Sequence, residues 1–365
     1  MLFENNPLSA ICSIVCPHEK NCNGNCILGM KKAPVDFYKI EQYISGKYIE
    51  NCEISKPEKN GMKIAVIGAG PAGISMSILM AQQGFQVTLM EEQEKIGGVL
   101  RYGIPAFRLP KERVDAYREV LRRLGVVVKP NCHIGSNLLL EDMFIDGYDA
   151  IFLAVGTAKP NRLGLLGETL GHVHFAIDFL KAPDAYELGK TVAVIGAGNV
   201  AMDVARSALR QQGVEKVIVI NNRREEDVTA TKQEFSETME EGVEFMHLMS
   251  VLRITEKALV AVDVDAIEGE NGIIYEENML LRHNIPADTV ILAIGQGPAS
   301  ILSEKAQIAT TLRGLFVVDE NGMTNIPGVF AAGDVVSGPK TVVEAVAYTK
   351  KVSEQMIKYC YDKKK

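Results

Sequence analysis

IAVIGAGPAGISMSILMAQQGFQVTLME, residues 64 to 91, decides the fold. Its first four residues, Ile64 to Ile67, are all apolar, as a strand covered on both faces of a parallel sheet requires. They run into Gly68-Ala69-Gly70-Pro71-Ala72-Gly73, which opens a helix that stops at Gly84. A second strand, Phe85 to Met90, then ends on Glu91. Strand, glycine turn, helix, strand and terminal acid in this order are a βαβ unit with the dinucleotide-binding fingerprint. Gly68 permits the tight turn, Gly70 lets backbone approach a pyrophosphate, and Gly73 lets helix and strand pack closely. Pro71 suits a first helical turn whose N–H groups have no intrahelical partner. The pyrophosphate then sits on the positive helix end, and Glu91 accepts hydrogen bonds from a ribose.

The remaining composition is compatible with this reading and excludes others. A chain of 365 residues, 47% hydrophobic and 23% charged, can build two or three globular domains with real cores. A net charge of −7 argues against nucleic acid or an anionic membrane as the main partner. The longest uncharged run, Ile64 to Gln83, is cut by glycines and Pro71 and is no membrane span. Glu4 and Asn5 interrupt the first apolar residues, so no signal peptide is read and the cytoplasm is the expected compartment.

Four of the seven cysteines, Cys12, Cys16, Cys22 and Cys26, crowd the polar opening segment. In a cytosolic chain such crowding points to a metal or cluster before disulfides. The spacing is not that of a zinc finger, and Pro17 after Cys16 has the cysteine-proline order of iron–sulfur ligation. A four-iron cluster, unliganded thiols and a small zinc site stay open. A helix is expected over Tyr38 to Ile44, and a linker over Glu53 to Asn60 leads into the first strand.

After Glu91 comes a glycine pair, Gly97-Gly98, in the run GGVLRYGIPAFRLPK. This run, with the cysteine-rich opening and the fingerprint, resembles the small subunit of glutamate synthase and the similar N-terminal flavin part of dihydropyrimidine dehydrogenase, over nearly the whole chain. The resemblance implies that the first dinucleotide is FAD, with Arg108 among its contacts. Helix-like residues Lys111 to Leu124, a short strand Val126 to Lys129 and a buried strand in Asp149 to Gly156 follow.

A second fingerprint, TVAVIGAGNVAMDVARSALRQQG, begins at Thr191. Its glycines are Gly196 and Gly198, Asn199 and Val200 open its helix, and Ala201 stands at the third position, a substitution the pattern tolerates. Its second strand, Val217 to Ile220, ends on Asn221-Asn222-Arg223-Arg224, with no carboxylate where Glu91 stands in the first copy. An acid there would repel a 2′-phosphate and arginine would attract it, so NADPH is expected at this site. The resembled family shows two arginines where this chain has Asn222 and Arg223, and NADH is the alternative. Gly242 to Gly272 is strand-like without further specificity.

Ala287 to Gly297 is a buried strand entering a glycine turn, and the resemblance places Ile294-Gly295 by the nicotinamide cofactor. It assigns Gly333 and Asp334 to the flavin's ribityl chain, and the helix start at Thr341-Val342 to the ring side. The tail from Lys358 is expected to fray. The fold class is therefore α/β, with two doubly wound Rossmann-like domains. The nicotinamide domain is inserted in the FAD domain, and a Cys-rich helical segment precedes both. The expected bounds are 1–55 for that segment, 56–160 and 288–365 for the FAD domain, and 161–287 for the nicotinamide domain.

Two such sites imply hydride transfer from nicotinamide to flavin, which needs alignment and exclusion of water more than an acid or base. No catalytic side chain is nominated. No Cys-x-x-Cys dithiol occurs, so the electrons are expected to pass to an iron–sulfur or partner acceptor. Members of the resembled family carry two four-iron clusters, with a carboxylate or amide ligand falling near Glu41. Their upstream cysteines have no counterpart here, so two complete clusters are not expected from this chain alone. The expected function is an NAD(P)H oxidoreductase feeding a partner subunit. A dihydropyrimidine dehydrogenase input subunit and a non-catalytic flavoprotein scaffold or redox sensor are the alternatives.

Overall fold

The computed structural model describes residues 2–51, 57–136, 138–269 and 272–365. The chain forms two compact units. One comprises Met1–Arg101, Ala106–Lys159 and Gln296–Lys365, and the other Tyr102–Pro105 and Pro160–Gly295.

In the first unit Lys63–Ile67 lies at the centre of a five-stranded sheet, between Ala150–Leu153 and Gln86–Met90. Val329–Ala331 and Val127–Lys129 form its edges, and every pairing is parallel. Both faces are covered, which is why Ile64 to Ile67 and Ala150 to Leu153 are uninterrupted apolar runs. The helix Pro71–Gln82 is buried for most of its length because the long helix Val342–Lys364 packs on it.

That last helix corrects the expectation of a frayed tail. It continues to Lys364 because its final turns have partners: Cys360 is 1% exposed, Tyr359 meets Phe330 edge-on, and Tyr361 meets Phe85 edge-on. Lys364 Nζ also donates to the Asn60 carbonyl at 3.1 Å.

The opening segment belongs to the same compact unit. Its helix Ser9–Val15 packs on Phe37–Asn51, which contains the helix expected over Tyr38 to Ile44, and touches Lys111–Arg123 and Val342–Lys364. Of the expected linker Glu53 to Asn60, residues 53–56 lie outside the described residues. Pro57 to Asn60 run without helix or strand.

The second unit repeats the plan. Thr191–Ile195 lies between Thr289–Leu292 and Lys216–Ile220, with Val173–Phe175 and Glu244–Met246 at the edges, all parallel. Because Thr289–Leu292 is a central strand of this sheet, the chain returns to the first unit at Gln296, later than the expected residue 288. In both sheets the order reverses beside the strand that feeds the glycine turn, which is the position where open α/β sheets bind ligands.

The strand-like stretch after Gly242 resolves into Glu244–Met246 and an antiparallel sheet of Met249–Ile254, Ala258–Gly269 and Gly272–Pro286. Within its hairpin Val262 pairs with Arg282 but Asp263 with Asn278, so Met279, Leu280 and Leu281 bulge out unpaired.

Candidate functional site

The first glycine loop is shaped by what a side chain would strike. Gly68 has φ +95°, and a Cβ there would overlap the Ala154 carbonyl; at Gly73 it would overlap the carbonyl of Gly68. Gly70 caps the helix whose first residue is Pro71, leaving the first-turn N–H groups of Pro71–Gln82 open toward an anion. Ala72 contributes only a methyl beside Gly333, where a Cβ would come within 3.0 Å of it. The glycine pair lies on this loop. Gly97 N donates to the Ala69 carbonyl at 2.8 Å, and a Cβ on Gly98 would stand 2.8 Å from Gly70 Cα.

Glu91, 6% exposed, ties the loop to the end of its strand. One carboxylate oxygen accepts from Ala69 N at 2.6 Å and the other from Gln93 N at 2.9 Å. Burial raises its pKa, and the two N–H donors work against that rise. Spare lone pairs of a carboxylate so held can accept from a ribose hydroxyl.

Asp334 follows Val329–Ala331, the strand next to Ala150–Leu153, and Thr341 caps the final helix through a reciprocal bond set with Glu344. Val342 is the first residue of that helix. Arg108 lies half-buried in the segment before Lys111–Arg123.

Burial pushes the Asp334 carboxyl up to about 6, against the hydrogen bond that Lys340 N donates at 3.2 Å, and the Glu344 charge adds to the rise. Its folded pKa therefore exceeds its unfolded one. The folded chain binds a proton that the unfolded chain releases, and stability from this group falls as pH climbs from about 4 to about 6. In protein freed of any bound cofactor, Asp334→Asn is expected to remove this slope, a gain at neutral pH of at most about 3 kcal/mol. Tm against pH for the two proteins checks it, and parallel curves would contradict the assignment.

The second loop is built likewise, with informative differences. Gly196 has φ +128°, and a Cβ there would overlap the Ala293 carbonyl. Gly198 caps the helix Asn199–Leu209, and Ala201 fits at the third position with its methyl fully buried. Ala230 N donates to the Ala197 carbonyl at 3.1 Å and Thr231 N to Asn199 Oδ1 at 2.9 Å, so the 229–231 segment laces over this loop. Val200 is half-buried in the first helical turn. Gly295 has φ +92° beside Asn161, and Ile294 packs against the core behind the sheet.

Where Glu91 stands in the first unit, the second has Asn221. Its Oδ1 accepts from Arg223 N at 3.0 Å, as Glu91 accepts from Gln93, but its amide nitrogen lies 3.0 Å from His247 Nδ1. Burial lowers the pKa of His247 and favours the neutral ring, which takes the amide's hydrogen. A cleft of about 230 Å³ opens here, lined among others by Gly196, Asn221, Asn222, Arg223, Thr229 and Ile294. Asn222 and Arg223 are exposed at its rim. Arg224, in contrast, pairs with Asp227 at 2.7 Å and Glu226 at 3.2 Å.

Three of the four cysteines are neighbours: Cys16 feels the charge of Cys22, and Cys12 that of Cys16, with Glu41 acting on both Cys12 and Cys16. Among the described residues no three His, Cys, Asp or Glu side chains are grouped to hold a metal ion. Cys12 is 4% exposed, and burial pushes its thiol up to about 12; burial, with Cys22 nearby, pushes Cys16 to about 11. Cys22 Sγ lies 3.8 Å from His18 Nδ1, and Cys26 Sγ accepts from Val35 N at 3.5 Å, a bond that lowers its pKa.

Sequence reading missed the partners that shape both loops. The carbonyls of Ala154 and Ala293 sit under Gly68 and Gly196, and a signal for them was present: Leu153-Ala-Val-Gly156 and Leu292-Ala-Ile-Gly295 are near-copies. His247 and the 229–231 segment carried no such repeat.

Residues 62–348 match the family described as pyridine nucleotide-disulphide oxidoreductase, and residues 1–53 the one described as dihydropyrimidine dehydrogenase domain II, 4Fe-4S cluster. The chain is 31% identical to the glutamate synthase [NADPH] small chain of Escherichia coli (strain K12), across 98% of this chain and 81% of that one. It is 32% identical to the NAD-dependent dihydropyrimidine dehydrogenase subunit PreT of the same organism, across 98% and 83%. Among solved structures, Mycobacterium tuberculosis FprA in complex with NADPH has the same fold, with a TM-score of 0.73 and 17% identity over 83% of this chain and 85% of that one. No helix among the described residues is long and apolar enough to cross a membrane. The chain thus belongs to the pyridine nucleotide-disulphide oxidoreductases, in the branch of the glutamate synthase small chains and PreT subunits, and is an NAD(P)H-dependent flavin oxidoreductase.

Proposed function

We propose that FAD occupies the loop around Gly68, that NADPH donates from the loop around Gly196, and that the electrons leave to an accepting partner subunit. The contrast between Glu91 and Asn221 carries this reading: a buried carboxylate suits an unphosphorylated ribose, whereas a neutral amide beside an exposed arginine suits a 2′-phosphate. The names of the relatives divide on the nucleotide, one printing NADPH and the other NAD, and Asn221 with Arg223 favours the first.

Flavin, when bound, would supply the hydride-accepting and electron-carrying chemistry, with the reduced nicotinamide as donor. The chain's own residues bind and orient. Backbone N–H groups after Gly70 and Gly198 face the two pyrophosphates, Glu91 takes a ribose hydroxyl, and Asp334 takes a hydroxyl of the ribityl chain. Gly97, Gly98 and Arg108 border the flavin, Thr341 and Val342 present a helix N-terminus to its ring side, and Ile294-Gly295 borders the nicotinamide. The family's dithiol exit is missing, since no Cys-x-x-Cys occurs, and no step is routed through Cys12, Cys16, Cys22 and Cys26. The relatives are named as a small chain and a subunit, and a protein acceptor of the same kind fits this chain.

Anaerobic mixing with excess NADPH is expected to bleach the flavin band within seconds, and NADH to do so at least about tenfold more slowly at equal concentration. An oxidised spectrum that persists with both nucleotides would leave only a scaffold.

A further inference from the structure

We infer that Tyr275, on the antiparallel hairpin and remote in sequence from both glycine loops, is a positioning residue for nucleotide selection: it presents Arg223 to a ribose 2′-phosphate and helps hold Arg224 away. The inference rests on the proposed seating of the hydride donor's adenosine ribose at the Asn221–Arg224 turn.

The two adjacent arginines are in opposite states. Arg224 is spoken for, because its Nε lies 2.7 Å from Asp227 Oδ2 and 3.2 Å from Glu226. Arg223 has no carboxylate within ion-pair distance among the described residues, and its guanidinium carbon lies 5.7 Å from the centre of the Tyr275 ring. The same phenol donates its hydroxyl hydrogen to Asp227 Oδ2, the oxygen that also receives Arg224. One side chain therefore touches both arginines' surroundings, its face toward Arg223 and its hydroxyl on the acid that ties down Arg224.

The platform is itself fixed. Two residues along the strand, on the same face, Glu277 accepts from Ser250 Oγ at 2.7 Å, and Ser250 lines the cleft beside Arg223. Asn221 fixes the Arg223 backbone from the other side. A long cation so held loses less freedom when it meets a phosphate than one free in solvent.

The bland alternative is that Tyr275 only docks the hairpin on the loop. The two differ in what they do to a nucleotide without the phosphate. Calorimetric titration of the full chain with 2′,5′-ADP and with 5′-ADP, for the unsubstituted protein, Tyr275→Leu and Tyr275→Phe, separates them. Tyr275→Leu is expected to lose about threefold to fivefold in affinity for 2′,5′-ADP and nothing for 5′-ADP, while Tyr275→Phe, keeping the ring, stays within about twofold for both. An unchanged affinity ratio in Tyr275→Leu, whether both nucleotides weaken or neither does, overturns the role of Tyr275. Should the unsubstituted protein bind 5′-ADP as tightly as 2′,5′-ADP, the underlying reading of a 2′-phosphate site fails instead, and this inference with it.

Discussion

Gly98→Ala is expected to purify largely without flavin. Gly98 has φ +51°, and a Cβ there would stand 2.8 Å from Gly70 Cα, which is backbone and cannot swing aside as a flexible side chain would. The methyl group meets two penalties, a left-handed backbone without glycine and overpacking against the loop proposed to face the pyrophosphate, together roughly 2–4 kcal/mol. Relief by shifting Gly70 moves the first turn of Pro71–Gln82, whose N–H groups are the proposed anion site, so the cost falls on binding. FAD affinity should drop by about 30-fold or more, read as the ratio of flavin to protein absorbance after gel filtration and by titration of the stripped protein. Gly147→Ala is the control: φ is +82° but nothing lies within 4 Å of the new Cβ, so flavin should remain, with a stability loss of only about 1 kcal/mol. A flavin-replete Gly98→Ala of ordinary affinity would place the cofactor elsewhere.

Asn221→Asp is expected to turn the nucleotide preference. The new carboxylate keeps the size of the amide and can still accept from Arg223 N, and His247 can present a ring N–H to it, so the fold should tolerate the change. A 2′-phosphate then meets a negative charge inside a cleft, a repulsion of roughly 1.5–3 kcal/mol at a partly screened site. The specificity constant kcat/KM for NADPH with an artificial acceptor should fall about tenfold to hundredfold, mainly through KM, and that for NADH should hold or rise. Equal losses for both nucleotides would show that Asn221 supports the turn without reading the phosphate.

Much of this was legible in the sequence for one physical reason. A strand covered on both faces must be apolar throughout, and a turn that lets backbone approach a phosphate must be glycine, so Ile64–Gly73 and Thr191–Ala201 announce themselves locally. The insertion of one unit in the other followed from motif order. What stayed hidden depends on distant pairs. Nothing near Asn221 foretells that His247 will take its amide, and nothing near Arg223 foretells Tyr275, because loop geometry brings them together. The last helix was misjudged because charge in Lys358 to Lys365 reads as fraying, while the partners that hold it, Phe85 and Asn60, lie near the other end of the chain. The cysteine spacing speaks of a shared centre, and Cys16 does lie near Cys12, Cys22 and Glu41, whereas Cys26 accepts from a backbone amide.

The interrupted first unit also sets an order of events during synthesis. The second unit is nearly continuous in sequence, so its sheet is complete once Thr289–Leu292 has left the ribosome. The first sheet must wait with the edge of Ala150–Leu153 unpaired until Val329–Ala331 arrives, roughly ten to thirty-five seconds later at ordinary rates of elongation. During that interval a buried apolar strand is open to any passing edge, and the helix Pro71–Gln82 lacks the cover that Val342–Lys364 later supplies. The nascent first unit is therefore the part of this chain with the greatest claim on a chaperone.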